Sequence, residues 1–328
     1  MEKKISLKDK ILKFLESEKG KCISGEEMAD IFSVSRTAVW KVIKNLKEQG
    51  YKIEAGTNKG YVLSQENDFL SEEKIRTALG EDKRIQEIHI FKELDSTNNE
   101  AKKMAMNGAP SGTLVLAEKQ TKGRGRRGNK EFYSPANSGI YMSLVLRPNL
   151  SMEDITLITT ATSVGICRAM ENLFPLKPQI KWINDIYIED KKVCGILTEG
   201  VTDFETGTIE AVILGIGINF TTDDFPEEIK KKAGSLMSGK ISPVSRNTLI
   251  AEITKEIFKI METIQDREYL KEYKERSWVI GNTIEVITPE ETYRAKALDI
   301  EENGALIVER ENGKIEKLIS GEISILKK

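Results

Sequence analysis

The chain has 328 residues, more than one hydrophobic core usually organises, so two or three domains are expected. With 39% hydrophobic and 31% charged residues it is neither a disordered nor a membrane-embedded polypeptide; no apolar run approaches the roughly 20 residues of a membrane helix, and the Lys-rich start leads into no signal-peptide core, which implies a soluble, cytoplasmic protein without a membrane partner. The net charge of -2 conceals a division, since residues 1–64 carry 13 Lys and Arg against 9 Asp and Glu while the remainder is acidic.

Residues 7–16 place Ile11, Leu12 and Leu15 on one face of a short amphipathic helix. Ser24-Gly25-Glu26-Glu27 has the form of a capping box, opening a second helix with Met28 and Ile31 inward. After the turn at Phe32-Ser33-Val34, Ser35 caps a third helix that Gly50 ends; Val39, Val42, Ile43 and Leu46 face a core, and Arg36, Lys41, Lys44 and Lys47 point outward. Residues 51–63 alternate as two strands about a turn rich in Gly and Asn. Three helices and a hairpin over residues 1–64 make a winged helix-turn-helix, in which the third helix enters the major groove of DNA and the wing touches the backbone. Its candidate DNA-binding residues are Gly25, Ser35, Arg36, Thr37, Trp40, Lys41 and Lys44. A small helical domain serving protein contacts competes with this reading; the order of elements favours DNA more strongly than the balance of charge does. A polar linker is placed at residues 64–68, with a short helix beyond it over 71–79.

Residues 85–94 alternate like a strand and deliver Asp95-Ser96-Thr97-Asn98-Asn99-Glu100, where Thr97 with Glu100 reads as a capping box for a helix closing near Asn107-Gly108. Capping alone accounts for Ser96 and Thr97. A strand over 113–118 then leads to Lys122-Gly123-Arg124-Gly125-Arg126-Arg127-Gly128, whose glycines permit a backbone closed to other residues and whose arginines offer planar donors to phosphate or carboxylate. The spacing also matches the dinucleotide fingerprint, but that fingerprint needs a helix opening at its third glycine, and the stretch from Asn129 to Pro135 has no helical period. A solvated basic patch is the plainer alternative. His89 reads as a strand residue, and Cys22, Cys167 and Cys194, odd in number and far apart, read as reduced structural thiols. A Ser-His-Asp or zinc mechanism is thereby disfavoured, no metal ligand is assigned, and the chemistry must work by positioning and charge.

Asp95-Ser96-Thr97-Asn98, Gln120, the Gly123 to Gly128 loop, Lys181-Trp182-Ile183-Asn184-Asp185, Gly195-Ile196-Leu197 with Glu199, and Gly215-Ile216-Gly217-Ile218-Asn219 together resemble, in order and spacing, the biotin-protein ligases. With the N-terminal winged helix, the chain is similar to the bifunctional kind that also represses biotin operons. The resemblance implies two reactions: joining of the biotin carboxylate to the alpha-phosphate of ATP, which arrives with Mg2+, and transfer of biotin from biotinyl-AMP to a lysine of a biotin carboxyl carrier protein. It implies that Ser96, Thr97, Asn98 and Gln120 bind biotin, that Arg124, Gly125 and Arg126 hold biotin and adenylate, that Lys181 contacts the reacting carboxylate and phosphate, and that Gly215 and Asn219 lie at the nucleotide. Arg126 and Lys181 are the catalytic candidates. Operator DNA and a ligand-promoted homodimer are the further partners it implies.

Several residues carry a physical expectation beside the resemblance. Lys181 lies in an apolar strand pattern, where an unpaired ammonium is costly, so an anionic partner is expected. Trp182 reads as core. Gly215 and Gly217 would let a ligand approach a strand backbone closely. Glu199 and Asp185 suit Mg2+ by chemistry, although nothing in their spacing selects them. Phe132-Tyr133-Ser134-Pro135 stands one residue further from the loop than in many relatives, so Phe132 receives no role.

The architecture expected is α+β. Strands at 140–146, 186–197 (a hairpin about Glu189-Asp190-Lys191) and 209–218, with helices at 153–173 and 247–274, make a mostly antiparallel sheet with helices on it, and residues 221–239 form a polar mobile segment. The resemblance implies a class II aminoacyl-tRNA synthetase-like mixed sheet for residues 65–276. From Ser277 to the end, five short strands separated partly by Asn-Gly turns make a small SH3-like barrel over residues 277–328. Two other functions stand beside the ligase: a biotin-sensing transcription regulator that does not ligate, and a lipoate-type acyl-adenylate ligase.

Overall fold

The computed structural model describes residues 6–48, 51–56, 60–64, 68–126, 131–148, 155–202, 208–239, 242–288 and 291–326, and the chain divides into two units, Met1–Asp68 and Phe69–Lys328. The first unit runs α1 (Leu7–Ser17), β1 (Cys22–Ile23), α2 (Gly25–Phe32), α3 (Arg36–Glu48), β2 (Ile53–Gly56) and β3 (Gly60–Leu63). Both helix starts expected from capping are made: Ser24 Oγ accepts the Glu27 N–H at 3.0 Å and Ser35 Oγ that of Ala38 at 3.1 Å. Ile11, Leu15, Met28, Val39, Ile43 and Leu46 close the core. Ile31 does not join them; it is 50% exposed, because Met28 and Ala29 already form the inward face of the short α2. The two-residue β1 pairs with β3, making a three-stranded sheet in the order β1-β3-β2. Gly60, at φ +96°, lies so close to the Ile23 carbonyl that a Cβ would collide with it. Gly50 and most of the expected linker lie outside the described residues.

The second unit begins with α4 (Glu72–Leu79), β4 (Glu87–Phe91), α5 (Thr97–Met106), β5 (Thr113–Ala117), β6 (Gly139–Leu146) and α6 (Ile155–Leu173). It continues with β7 (Gln179–Lys181), β8 (Asp185–Ile188), β9 (Lys191–Thr202), β10 (Ile209–Asn219), α7 (Glu227–Lys230), α8 (Arg246–Glu262) and α9 (Tyr269–Glu275). Last come β11 (Thr283–Ile287), β12 (Thr292–Ile300), β13 (Leu306–Arg310), β14 (Ile315–Leu318) and β15 (Glu322–Ile325). Seven strands form one sheet, β4-β5-β6-β10-β9-β8-β7, antiparallel except for the parallel pair β4 and β5. Both faces are covered, which is why β6 is buried at every position. Leu144 and Leu214 join the core with α6 and α8, while Val145 and Ile213, one residue on or back, pack with Ala101 and Ala105 of α5.

Two expectations change. The helix expected over 247–274 is two helices, because the chain turns at Thr263 and Arg267 takes a left-handed conformation (φ 58°) before α9. The segment expected to be mobile over 221–239 is packed: Thr222 and Leu236 are buried, and the Leu236 and Gly234 N–H groups donate to Asn219 O at 3.0 Å and Lys192 O at 2.9 Å. The five C-terminal strands form a separate sheet, β14-β13-β12-β11-β15, whose Ile284, Val286 and Ala297 share the core of the α6 and α8 layer. Trp182 is core as expected; its indole N–H donates to Gly304 O at 2.9 Å, where Gly304 turns the chain with φ +82°.

Candidate functional site

The site is built on the α5 face, where Asn98 in the first turn of α5 meets Ser143 of β6, Leu197 of β9 and Gly215 of β10. Ser96 is the N-cap of α5, displacing Thr97 from the capping position expected of it. Its side chain makes no capping bond, whereas Ser24, Ser71 and Ser245 all cap their helices. The buried Ser96 side chain instead lines the cleft described below. Asp95 is held by the Ser96 N–H at 2.7 Å and the Asn99 amide at 2.7 Å, and the Asn99 bond in particular keeps its carboxyl below the usual range. Thr97 and Asn98, both inside the first turn, are buried. The Thr97 N–H and hydroxyl reach Gln120 Oε1 at 2.8 and 3.1 Å, and Gln120 Nε2 donates to Ser134 Oγ at 2.9 Å. Asn98 Nδ2 donates to Glu199 Oε2 at 2.8 Å. Ser143 Oγ lies 2.6 Å from Asn98 Oδ1 and 2.8 Å from Thr97 Oγ1.

The basic loop follows Gln120. Its described part, through Arg126, is not helical, and it is tied across its base by the Phe132 N–H donating to Gly123 O at 2.8 Å. Arg124 pairs with Glu199 at 2.8 Å and reaches Asn99 Oδ1 at 3.3 Å; Arg126 reaches Asn184 Oδ1 at 3.3 Å. Arg127 and Gly128 lie outside the described residues. The strand glycines are required by protein packing. A Cβ on Gly215 would collide with the Asn98 amide and one on Gly217 with the Phe132 ring, and both glycines line the cleft described below. Phe132, to which the sequence assigned no role, also packs edge-on to Tyr141, with ring centroids 6.4 Å apart.

These groups surround one open cleft. Ser96, Thr97, Asn98 and Gln120 line one part; Arg124, Gly125 and Arg126 another; Phe132, Asn184, Lys192 and Gly215 complete it. Two expected residues are not in the lining. Lys181, at the end of β7, has its ammonium 5.7 Å from the Tyr187 ring centroid, and among the described residues no carboxylate lies within ion-pair distance of it. Burial pushes its pKa down, with Asp185 opposing. The expected anionic partner is therefore replaced by an aromatic face. Asn219 is buried, donating to Gly234 O at 3.0 Å, and thus fastens the packed 221–239 segment.

Lys192 was missed by sequence reasoning. In a Lys-Lys pair beside a hairpin turn it reads as a solvated charge, yet it lines the cleft, with Nζ 2.7 Å from Asp185 Oδ1. Its backbone is clamped on both sides, the N–H donating to Lys232 O at 2.8 Å and the carbonyl accepting from Gly234. Glu199 and Asp185 are thus each neutralised by a protein cation, and among the described residues no group of three His, Cys, Asp or Glu is placed to hold a metal. No described helix is long and apolar enough to cross a membrane.

In the first unit, Arg36, Trp40, Lys41 and Lys44 stand exposed on α3, with Trp40 52% exposed and Lys44 Nζ 5.6 Å from its ring centroid. Arg36 lies 3.7 Å from Glu26. Ser35 caps α3, Thr37 lies in its exposed first turn, and Gly25 begins α2 in close approach to Tyr61.

Comparison with known proteins matches residues 8–62 to a helix-turn-helix (HTH) domain, residues 90–219 to the biotin/lipoate A/B protein ligase family, and residues 279–326 to the biotin protein ligase C-terminal domain. The chain is 36% identical over 313 residues to the bifunctional ligase/repressor BirA of Bacillus spizizenii, covering 92% of this chain and 94% of that protein. It is 28% identical over 311 residues to the protein of the same name from Escherichia coli, covering 93% and 94%. Among solved structures, a biotin protein ligase from Aquifex aeolicus in complex with biotin and ATP matches with a TM-score of 0.62 and 27% identity, covering 74% of this chain and all of that one. Helix-turn-helix, ligase core and C-terminal domain follow one another here in a single chain, which belongs to the family of bifunctional biotin-protein ligases and repressors.

Proposed function

We propose that this protein activates biotin with ATP and transfers it to a lysine of a biotin carboxyl carrier protein, and that biotinyl-AMP held in the same cleft promotes dimerisation and repression at operator DNA. The observation that carries the enzymatic reading is the convergence in one cleft of polar groups, Ser96, Thr97 and Gln120, with cationic ones, Arg124, Arg126 and Lys192. A neutral ureido ring suits the first, and a carboxylate meeting a polyphosphate suits the second.

In the first step a biotin carboxylate oxygen attacks the alpha-phosphorus and the bond to pyrophosphate breaks. Two anions have to be brought together, so the task of Arg124, Arg126 and Lys192 is to neutralise them in a fixed geometry. We assign to Lys192 the contact with carboxylate and phosphate that the resemblance implied for Lys181, on the strength of its place in the cleft lining. In the second step the neutral carrier amine attacks the acyl carbon and AMP leaves. Mg2+ enters with ATP as substrate; with Glu199 and Asp185 already paired, no step is assigned to a metal held by the protein. The seven-stranded sheet fits a class II synthetase-like core, and the C-terminal sheet an SH3-like barrel supporting nucleotide or carrier contact.

The test is incubation of the full chain with MgATP, biotin and an acceptor domain. Biotin on the acceptor lysine is expected. Absence of biotinylation with retained biotin binding would select the sensing regulator, and transfer of lipoate instead would select the lipoate-type ligase that the shared family model also covers.

A further inference from the structure

Glu199 has no place in the reaction as written and is not in the cleft lining, yet its carboxylate holds two residues that are, Asn98 and Arg124. It receives Arg124 at 2.8 Å and Asn98 Nδ2 at 2.8 Å, and its side chain is only 20% exposed. Asn98 leads to Ser143, Ser143 to Thr97, Thr97 to Gln120, and Gln120 to Ser134, whose hydroxyl donates to Phe132 O at 2.8 Å. Phe132 in turn closes the base of the Arg124 loop through its bond to Gly123 O. The chain of contacts therefore starts at Arg124 of the basic loop and returns to it at Gly123, by way of Asn98, Thr97, Gln120 and Phe132, which line the cleft.

The protons in this chain are underdetermined. Thr97 and Ser143 have one hydroxyl hydrogen each, but the contacts offer three uses for them: Asn98 Oδ1, Gln120 Oε1, and the bond between the two hydroxyls. With Ser143 donating to Asn98, the Thr97 hydrogen must choose between Ser143 and Gln120. A ligand N–H or carbonyl at Thr97 decides that choice, and it does so in a network whose far end is the carboxylate that holds Arg124.

We infer that Glu199 is a positioning residue, which anchors Arg124 and so fixes residues 124–126 at the cleft, and which links them through Asn98 and Ser143 to occupancy at Thr97 and Gln120. The inference rests on the ligase reading and adds to it the residue that prearranges the loop. An aligned carboxylate can do this because it accepts from Arg124 and Asn98 together. Glutamine offers one acceptor for those two donors and turns its own N–H2 toward a donor; alanine offers none.

The test is a double-mutant cycle on the full chain, reading adenylate formation by pyrophosphate release and the rate at which preformed biotinyl-AMP dissociates. Glu199→Ala is expected to raise the KM for biotin and the adenylate dissociation rate by about tenfold each, with kcat changing less, and Glu199→Gln to fall between it and wild type. In an Arg124→Ala background, Glu199→Ala should change either quantity by less than about twofold, because the interaction is already gone. Multiplying effects in the double variant would overturn the inference, since Glu199 would then act independently of Arg124. So would a loss of active fraction with unchanged KM and dissociation rate, which is the signature of a residue that only helps the chain fold. A wild-type chain that forms no adenylate would overturn the ligase reading, and this inference with it.

Discussion

Lys181 and Lys192 bring the same ammonium group into different surroundings, and two substitutions test which of them serves the reaction. Lys192 is in the cleft beside Asp185; replacing it by Gln keeps the length and removes the charge, and is expected to lower adenylate formation by about 100-fold or more, as loss of a charge-stabilising donor does. Lys181→Met is expected to leave the rate within about threefold, because the group it removes faces Tyr187 and not the cleft. Equal losses in the two variants, measured by pyrophosphate release, would return Lys181 to the reaction. Lys181 also leaves a mark on stability. Burial holds its pKa below the ordinary lysine value of about 10.4, so between the folded and unfolded values the unfolded chain binds the extra proton and this lysine makes the protein more stable as pH rises. Below the folded value the cost of the buried charge is constant. Urea midpoints of Lys181→Met should therefore gain on wild type at pH 7, with the gain shrinking toward pH 10. Arg126 lines the cleft and reaches Asn184 Oδ1 at 3.3 Å. Arg126→Gly is expected to let the adenylate escape and label lysines other than the carrier's; unchanged retention in a dissociation assay would mean other groups hold the loop.

At the scale of elements, α8 is anchored by a charge that water does not reach. Arg246, its first residue, is fully buried and donates to Glu118 Oε2 at 2.8 Å and Gly139 O at 2.9 Å, while Glu118 Oε1 accepts the Leu70 N–H at 2.9 Å. Asn247 extends the clamp, accepting from the Ser71 N–H and donating to Phe69 O, both at 2.8 Å. Glu118→Ala removes the carboxylate that pairs with the buried guanidinium, with an expected loss of about 3–5 kcal/mol in urea unfolding, whereas a loss below about 1 kcal/mol would show that solvent reaches the site. None of this clamp was legible in the sequence, since its partners lie 128 or more positions from Arg246 and Asn247, except Gly139, at 107. What was legible is local. Ser24, Ser35 and the alternating C-terminal strands announce themselves within a few residues, and their elements form where expected. The two-residue β1 is too short to carry a period, and the break after Thr263 interrupts an apolar pattern that continues into α9. The site divides in the same way. Ser96, Thr97, Gln120 and the arginines were found because they form motifs; Lys192 was hidden in a charged pair, and only the registers of β8 and β9 bring it to Asp185 and the cleft.

For the whole molecule, the division of charge noted in the sequence falls at a physical boundary: the basic excess of residues 1–64 lies in the compact unit Met1–Asp68, and the cleft lies entirely in Phe69–Lys328. Two units with separate cores should lose one activity without the other. Arg36 is the residue on which to test this. It opens α3, where a helix lying in the major groove presents its N-terminal residues to base edges, and its side chain is 72% exposed, with only the similarly exposed Glu26 3.7 Å away. Its removal therefore leaves no buried partner behind, and stability should move by less than about 0.5 kcal/mol. Operator affinity, in contrast, is expected to fall by about tenfold or more, through loss of a base or phosphate contact. The kind of loss identifies the contact: reduced discrimination between operator and random DNA marks base readout, while a uniform loss with a salt slope shallower by about one marks a phosphate. Biotinylation of the carrier by Arg36→Ala should stay within about twofold of wild type. If biotin and ATP tighten operator binding of the wild type by a given factor, the same factor should survive in Arg36→Ala, because the variant alters the surface that meets DNA and not the coupling between ligand and DNA. A fall in ligation equal to the fall in DNA binding would show that the two units do not act as separable bodies.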